Sequence, residues 1–373
     1  MPSEASPAAA AAPAPVVRAV GTALPPHYAD QETLIAALRT HWARQHFHVE
    51  RLEELHRAVK VGGRYLALPL ADYPALDGFQ KSNDAWIRVA QEVGAEAVSR
   101  ALGAAGLGPR DVDQLFFVTV TGLSTPSLDA KLVNRLGLRR DVKRVPVFGL
   151  GCVAGAAGLA RASDGLRAFP GEVAVLLSVE LCSLTLQRND PSVANVVASG
   201  IFGDGAAAVV LEGGARGGAR ARGEGAPPLP RVVATRSVFY PDTEWVMGWD
   251  FVDTGMKVVL SAQVPEIARA HVGRDVDEFL ASRGLGREDV RHWIAHTGGP
   301  KVLQAFEAAL ELPPDALELS WRSLREVGNL SSASVLFVLG DLLASGRPAA
   351  GDRGLLVAMG PGFCAELVLL EWE

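Results

Sequence analysis

Val145-Pro146-Val147-Phe148-Gly149-Leu150-Gly151-Cys152-Val153-Ala154-Gly155-Ala156-Ala157-Gly158 changes character at Cys152. The apolar residues before it predict a short strand over 145–150. The Ala/Gly-rich run after it predicts a tightly buried helix over 153–168. Cys152 then stands where a strand passes into a helix. The first turn of a helix offers unpaired N–H groups and the positive end of the helix dipole, and both favour a thiolate. The same place suits an ordinary core cysteine, since cysteine is among the most buried residue types. This segment alone is balanced between a nucleophile and a packed thiol.

Outward from it, Asp113–Val120 (DQLFFVTV), 173–179 (VAVLLSV) and 205–211 (GAAAVVL) read as strands. Apolar residues at helical spacing mark 30–59, 84–106 and 127–136. The segment 213–230 (GGARGGARARGEGAPPLP) has no apolar periodicity and reads as a linker. It is too short, too acid-interrupted and too poor in aromatics for an RNA-binding arm. Beyond it come a strand at 231–239, a helix over 256–284, a strand at 291–295, helices at 300–311 and 331–344, and strands at 354–358 and 364–371. Alternating strands and helices in both halves predict an α/β fold. Two similar halves suggest an internal duplication, without a literal repeat. The expected organisation is a disordered Ala/Pro/Ser tail over 1–15, one half over 16–225 and a second over 226–373.

Composition narrows the function. The 373 residues are 49% hydrophobic, enough for a large core. A net charge of -6 gives no overall pull toward nucleic acid or an anionic membrane. No apolar run reaches the roughly 18 residues of a membrane span. Three cysteines, Cys152, Cys182 and Cys364, do not make a disulfide framework, and a cytoplasmic setting is expected. The N-terminus lacks the pattern of a signal peptide. His41, His46, His48 and His56 read as a solvated helical face, so no metal is expected.

Two further residues carry chemistry. His296, in WIAHTGGPKVL, ends an apolar strand at a Gly-Gly-Pro turn. An imidazole there is placed to pair with a thiolate or donate to an oxyanion, or it is a core histidine held by backbone groups. Asn329, in EVGNLSSASV, is placed to donate to an enolate oxygen, or it caps the helix that follows. The set Cys-His-Asn is more specific than any member.

At this point the sequence resembles a known family. VFGLGCVAGAAG looks like the nucleophile motif of the thiolase superfamily. IAHTGGPKVL, REVGNLSSASVLFVL, FGDGAAAVVL, MGPGFCAE and TGLSTPSLDAKL are similar, in order, to motifs of chalcone and stilbene synthases and their bacterial type III polyketide synthase relatives. The resemblance runs from about residue 16 to the C-terminus. Thr297-Gly298-Gly299-Pro300 after the histidine distinguishes it from the β-ketoacyl-ACP synthase III pattern.

The resemblance implies a thiolase-like fold of two duplicated halves in an αβαβα five-layer architecture, and a homodimer. It implies an acyltransferase that uses acyl-CoA and malonyl-CoA, needs no cofactor, and performs iterative decarboxylative condensation followed by ring closure. Cys152 would carry the acyl chain, and His296 and Asn329 would stabilise the enolate. Phe202 matches the gatekeeper phenylalanine, and a second gatekeeper position falls on Val258. Val120, Thr121, Cys182, Gly360, Pro361 and Gly362 would line the cavity, with Thr125 at the cross-subunit position and Cys364 structural. Arg51, Arg57, Lys60, Arg64 and Lys301 would meet the phosphates of CoA. TPSLDA, Val258 and Cys182 look most like bacterial alkylpyrone and alkylresorcinol synthases, so a medium- or long-chain fatty acyl starter is expected. The alternatives are a single condensation with a carrier protein, or an aromatic starter.

Overall fold

The computed structural model describes residues 13–42, 48–190, 192–217 and 227–373. The expected tail up to residue 12, the linker segment 218–226 and His46 lie outside the described residues. Thirteen strands occur among the described residues: β1 Val16–Ala23, β2 His27–Asp30, β3 Gly63–Leu66, β4 Gln114–Thr119, β5 Lys143–Phe148, β6 Val173–Leu181, β7 Asp204–Glu212, β8 Pro230–Phe239, β9 Met247–Val252, β10 Gly255–Leu260, β11 His292–Ala295, β12 Arg353–Gly360 and β13 Cys364–Trp372. Nine of them form one sheet in the order β11-β12-β13-β8-β1-β7-β6-β4-β5.

The pairing repeats. β1 runs antiparallel to β7, β7 antiparallel to β6, and β6 parallel to β4. β8, β13, β12 and β11 copy this pattern in the same sequence of directions. The two sets meet where β1 touches β8 at Val16 and Arg231.

Side-chain alternation turns this sheet into layers. Phe116, Val118, Leu176, Ala207 and Val209 face inward with Ile294, Leu356, Ala358 and Val368 of the second half. Between them lie helices Ala154–Ala168 and Ser334–Ala344. The other parity faces outward. Leu115, Phe117, Val175 and Leu177 pack against helix Phe79–Ala105, while Leu355, Val357, Leu367 and Leu369 pack against helices Val264–Ala281 and Pro300–Leu310. Helix, sheet, helix, sheet, helix is the expected five-layer order. The Ala/Gly run makes the middle layer possible: a Cβ at residue 155 would lie 2.2 Å from the Ser332 carbonyl oxygen.

Several elements differ from the sequence reading. Residues 256–260 are not helix but strand β10, paired with β9 from Gly255↔Val252 to Leu260↔Met247. The β-branched pair Val258-Val259 follows a left-handed glycine, Gly255 at φ 131°, and the hairpin partner outweighs the helical spacing. The region 30–59 is two helices, Gln31–Trp42 and Val49–Ala58. Helix Glu318–Val327 and the β2–β3 ribbon had no expectation. His56 is not on a solvated face. It is fully buried, with Nε2 3.0 Å from the Val196 carbonyl oxygen and 3.1 Å from Ser199 Oγ.

Candidate active site

Cys152 sits in the single turn Gly151–Val153 that opens the central helix, and it is 6% exposed. Gly151 has φ 55°, a left-handed conformation that a Cβ disfavours. A Cβ there would also lie 2.8 Å from the Pro361 ring. The loop Gly360–Gly362 thus packs directly on the cysteine turn. Strand β12, which ends in that loop, also places the histidine: His296 N donates to the Val357 carbonyl at 2.9 Å. Both ring nitrogens of His296 are buried without a hydrogen-bond partner in the protein. A buried imidazole left unsatisfied is a destabilising arrangement that a ligand relieves.

Asn329 is 2% exposed. Its Oδ1 accepts from Ser331 N at 2.8 Å and from Ser334 Oγ at 3.4 Å. The helix-cap reading is therefore partly right: the oxygen organises the turn, and the amide NH2 remains for chemistry. Ser331, held at φ 48°, places its hydroxyl 3.7 Å from Cys152 Sγ. Burial pushes the Cys152 thiol up to about 12 and the His296 imidazole down to about 4, so each group taken alone favours its neutral form.

Glu180 went unnoticed in the sequence reading. It is fully buried on β6. It accepts from Thr121 Oγ1 at 2.8 Å, Val120 N at 3.1 Å and Thr119 Oγ1 at 3.3 Å, and from the Ser332 hydroxyl. Burial raises its carboxyl to about 7. The signal was a single acid inside a fully buried, mostly apolar nine-residue strand. Thr121 and Val120, named from sequence, are members of this network and are buried, whereas Thr125 is exposed.

Phe202, Val258 and Cys182 line one cavity of about 250 Å³, together with Leu66, Tyr73 and Trp249. Trp249 and Tyr73 were not anticipated. A wider polar cleft of about 660 Å³ shares Thr185, Gln187 and Arg188 with it and reaches Thr121. The five basic residues named for CoA divide. Arg51, Arg57, Lys60 and Lys301 are exposed, Arg57 paired with Glu32 at 2.8 Å. Arg64 is 2% exposed and lies on the wall of the 250 Å³ cavity. Cys364 is half-buried and donates to the Pro361 carbonyl at 3.1 Å. Among the described residues no His/Cys/Asp/Glu group is arranged to hold a metal, and no helix is long and apolar enough to cross a membrane.

Comparison with known proteins agrees with this geometry. Residues 3–215 match the family model for chalcone and stilbene synthases, N-terminal domain, and residues 231–372 match the C-terminal domain. A 1,3,6,8-tetrahydroxynaphthalene synthase of Streptomyces peucetius subsp. caesius is 53% identical over 95% of this chain and 93% of its own length. A putative chalcone synthase of Bacillus subtilis (strain 168) is 34% identical over 96% and 98%. The crystal structure of the tetrahydroxynaphthalene synthase of Streptomyces coelicolor A3(2), a bacterial type III polyketide synthase, superposes with a TM-score of 0.87 at 31% identity, covering 96% of this chain and 99% of that one. These relatives carry the name of an aromatic product, against the expected resemblance to alkylpyrone synthases. With both family models matched and the thiolase-like layers in place, the chain belongs to the chalcone and stilbene synthase family: it is a type III polyketide synthase, an acyltransferase that builds carbon–carbon bonds iteratively from CoA thioesters.

Proposed function

We propose that the enzyme primes and extends on malonyl-CoA and releases a compact aromatic polyketide of the 1,3,6,8-tetrahydroxynaphthalene type. The observation that carries this reading is the 53% identity, over 95% of this chain and 93% of the relative, to a synthase named for this product. The cavity lined by Phe202, Trp249 and Tyr73, about 250 Å³ and adjoining the 660 Å³ cleft, is compatible with a short oxygenated chain.

In each round His296 takes the Cys152 proton as the sulfur attacks the acyl thioester. CoA leaves as the thiol and the chain is held on Sγ. Malonyl-CoA then loses carbon dioxide, and the freed electron pair becomes an enolate. The His296 N–H and the Asn329 amide donate to its oxygen in a site closed to water. The enolate carbon attacks the thioester carbonyl, the new carbon–carbon bond forms, and the Cys152–acyl bond breaks. Decarboxylation supplies the carbanion, so no redox cofactor or metal takes part. Five malonyl-CoA give one tetrahydroxynaphthalene, five CoA, one water and five carbon dioxide, four from the extender units and one from the starter's own carboxylate after the last extension. Arg51, Lys60 and Lys301 are exposed cations placed to meet CoA phosphates, whereas Arg57 is held by Glu32. The working unit is a homodimer joined through β5, one of the two edges of the sheet, where Val145 and Phe148 stand 37% and 45% exposed.

The test is product mass from purified enzyme, with Cys152→Ala as control. Malonyl-CoA alone should yield the ten-carbon aromatic or its oxidised quinone. Turnover that requires lauroyl-CoA and gives alkylpyrones would return the fatty acyl reading. A single β-keto product formed only with a carrier protein would reject both.

A further inference from the structure

The cavity behind Phe202 contains a deeply buried cation that the reaction described above leaves unused. Arg64 lines it at 2% exposure. Its stem is wedged beside Gly203 and Gly328, where Cβ atoms would lie 3.6 Å from Arg64 Cβ and 3.3 Å from Arg64 Cγ. Its Nη1 donates to the Phe202 carbonyl at 3.1 Å, and its Nε has no partner. Among the described residues no carboxylate stands at ion-pair distance from it. Asp204 is the acid whose charge it feels most. The Asp204 oxygens, however, are taken by Ala67 N at 2.6 Å, Ser183 N at 2.8 Å and the Ser183 hydroxyl. Burial lowers the Arg64 guanidinium to about 10, which leaves it charged near neutral pH.

The other charged groups of the wall are committed. Arg188 donates to the Pro74 and Leu76 carbonyls at 3.1 and 2.7 Å. Asp190 accepts from Ser192 N and Oγ at 3.0 Å and pairs with Lys257 at 3.6 Å. A guanidinium stripped of water with an open N–H is destabilising until an anion meets it, and its planar fork suits a carboxylate.

We propose that Arg64 is the binding site for a free carboxylate at the far end of the acyl chain, so that the cavity selects carboxylate-ended chains over neutral ones of equal length. This rests on the reading of a malonyl-derived starter, whose far end keeps its carboxylate as extension drives it past Phe202. Arg64 is then a specificity-determining residue.

The test measures loading of Cys152 by intact mass, without malonyl-CoA, in wild type, Arg64→Gln and Arg64→Lys. Glutaryl-CoA and pentanoyl-CoA have acyl chains of equal carbon count and differ in the terminal carboxylate. Wild type should favour glutaryl. Arg64→Gln should lower the glutaryl-to-pentanoyl ratio at least tenfold, with Arg64→Lys in between. An unchanged ratio in both variants, or equal loss of both substrates, overturns the proposal. If Arg64→Gln does not fold, Arg64→Lys decides alone: a threefold fall in the ratio is expected, and an unchanged ratio overturns it. Failure of wild type to make an aromatic from malonyl-CoA would sink the starter reading separately, since the loading ratio is read without condensation.

Discussion

Phe202 and Asn329 form a parallel β-bridge: Asn329 N donates to the Ile201 carbonyl at 2.8 Å, and Gly203 N donates to the Asn329 carbonyl at 2.9 Å. Phe202, in the wall of the 250 Å³ cavity, and Asn329, two residues before Ser331, are therefore fixed to each other through backbone. Truncating the Phe202 side chain need not displace the Asn329 amide. Phe202→Ala should keep malonyl-CoA decarboxylation within about threefold of wild type while product falls at least tenfold, because water enters and the carbanion is protonated to acetyl-CoA. Acetyl-CoA and polyketide measured in one assay decide it. Parallel loss of both would mean that Phe202 holds Asn329 in place.

Decarboxylation and chain transfer use different atoms. Cys152→Ala should abolish polyketide yet leave decarboxylation measurable. Asn329→Ala should reduce decarboxylation by about 10²–10³, the usual effect of removing one oxyanion donor. Carbon dioxide release from carboxyl-labelled malonyl-CoA gives both numbers. Equal decarboxylation in Asn329→Ala and wild type would remove the amide from the mechanism.

Two buried histidines make the fold acid-sensitive. The folded-state values of His56 and His296 are lowered to about 3 and about 4, mainly by burial. A depressed histidine contributes stability that is present above its unfolded value of about 6.5 and is lost as pH falls toward the folded value. Thermal midpoints should decline from pH 7 to pH 4.5. His296→Asn should flatten that decline while being less sensitive only on the acid side. An identical slope in the variant would show that His296 is not buried neutral.

Gly151 turns the chain so that Cys152 faces the site. Gly151→Ala places a side chain in a left-handed backbone, at about 1–2 kcal/mol, and against the Pro361 ring 2.8 Å away. Activity should fall more than tenfold with a modest drop in melting temperature. Undiminished Cys152 acylation would contradict the packing.

The exposed edge strand predicts the assembly. Phe148 and Phe251 lie with ring centroids 6.4 Å apart on an uncovered surface, and Val252 is 43% exposed. Phe148→Asp with Val145→Lys should convert dimer to monomer in light scattering. A wild-type monomer, or a variant dimer, would rule out β5 as the joint.

The strand–turn–helix at Cys152 was legible because its Ala/Gly run admits little besides close helix packing. His296 and Asn329 were singled out only by the resemblance of their motifs, since each alone reads as well as a core histidine or a helix cap. Strand β10 was not, because Met256, Val259 and Leu260 also fit a helical spacing until β9 is present to pair with them. His56 and Arg64 misled for a common reason. A polar residue on an amphipathic stretch reads as surface, and only the packing of helix Val49–Ala58 and strand β3 against helix Val193–Ile201 and the Phe202 turn shows otherwise. Cavity size was beyond the sequence, since Trp249 and Val258 come together only through the β9–β10 register.

The repeated strand pattern assigns Cys152 to one copy and His296 and Asn329 to the other. Neither copy holds all three residues. A chain severed within 218–226 would thus be a split enzyme, silent in either fragment and active only on reassociation, so turnover itself would report how firmly the two copies hold together.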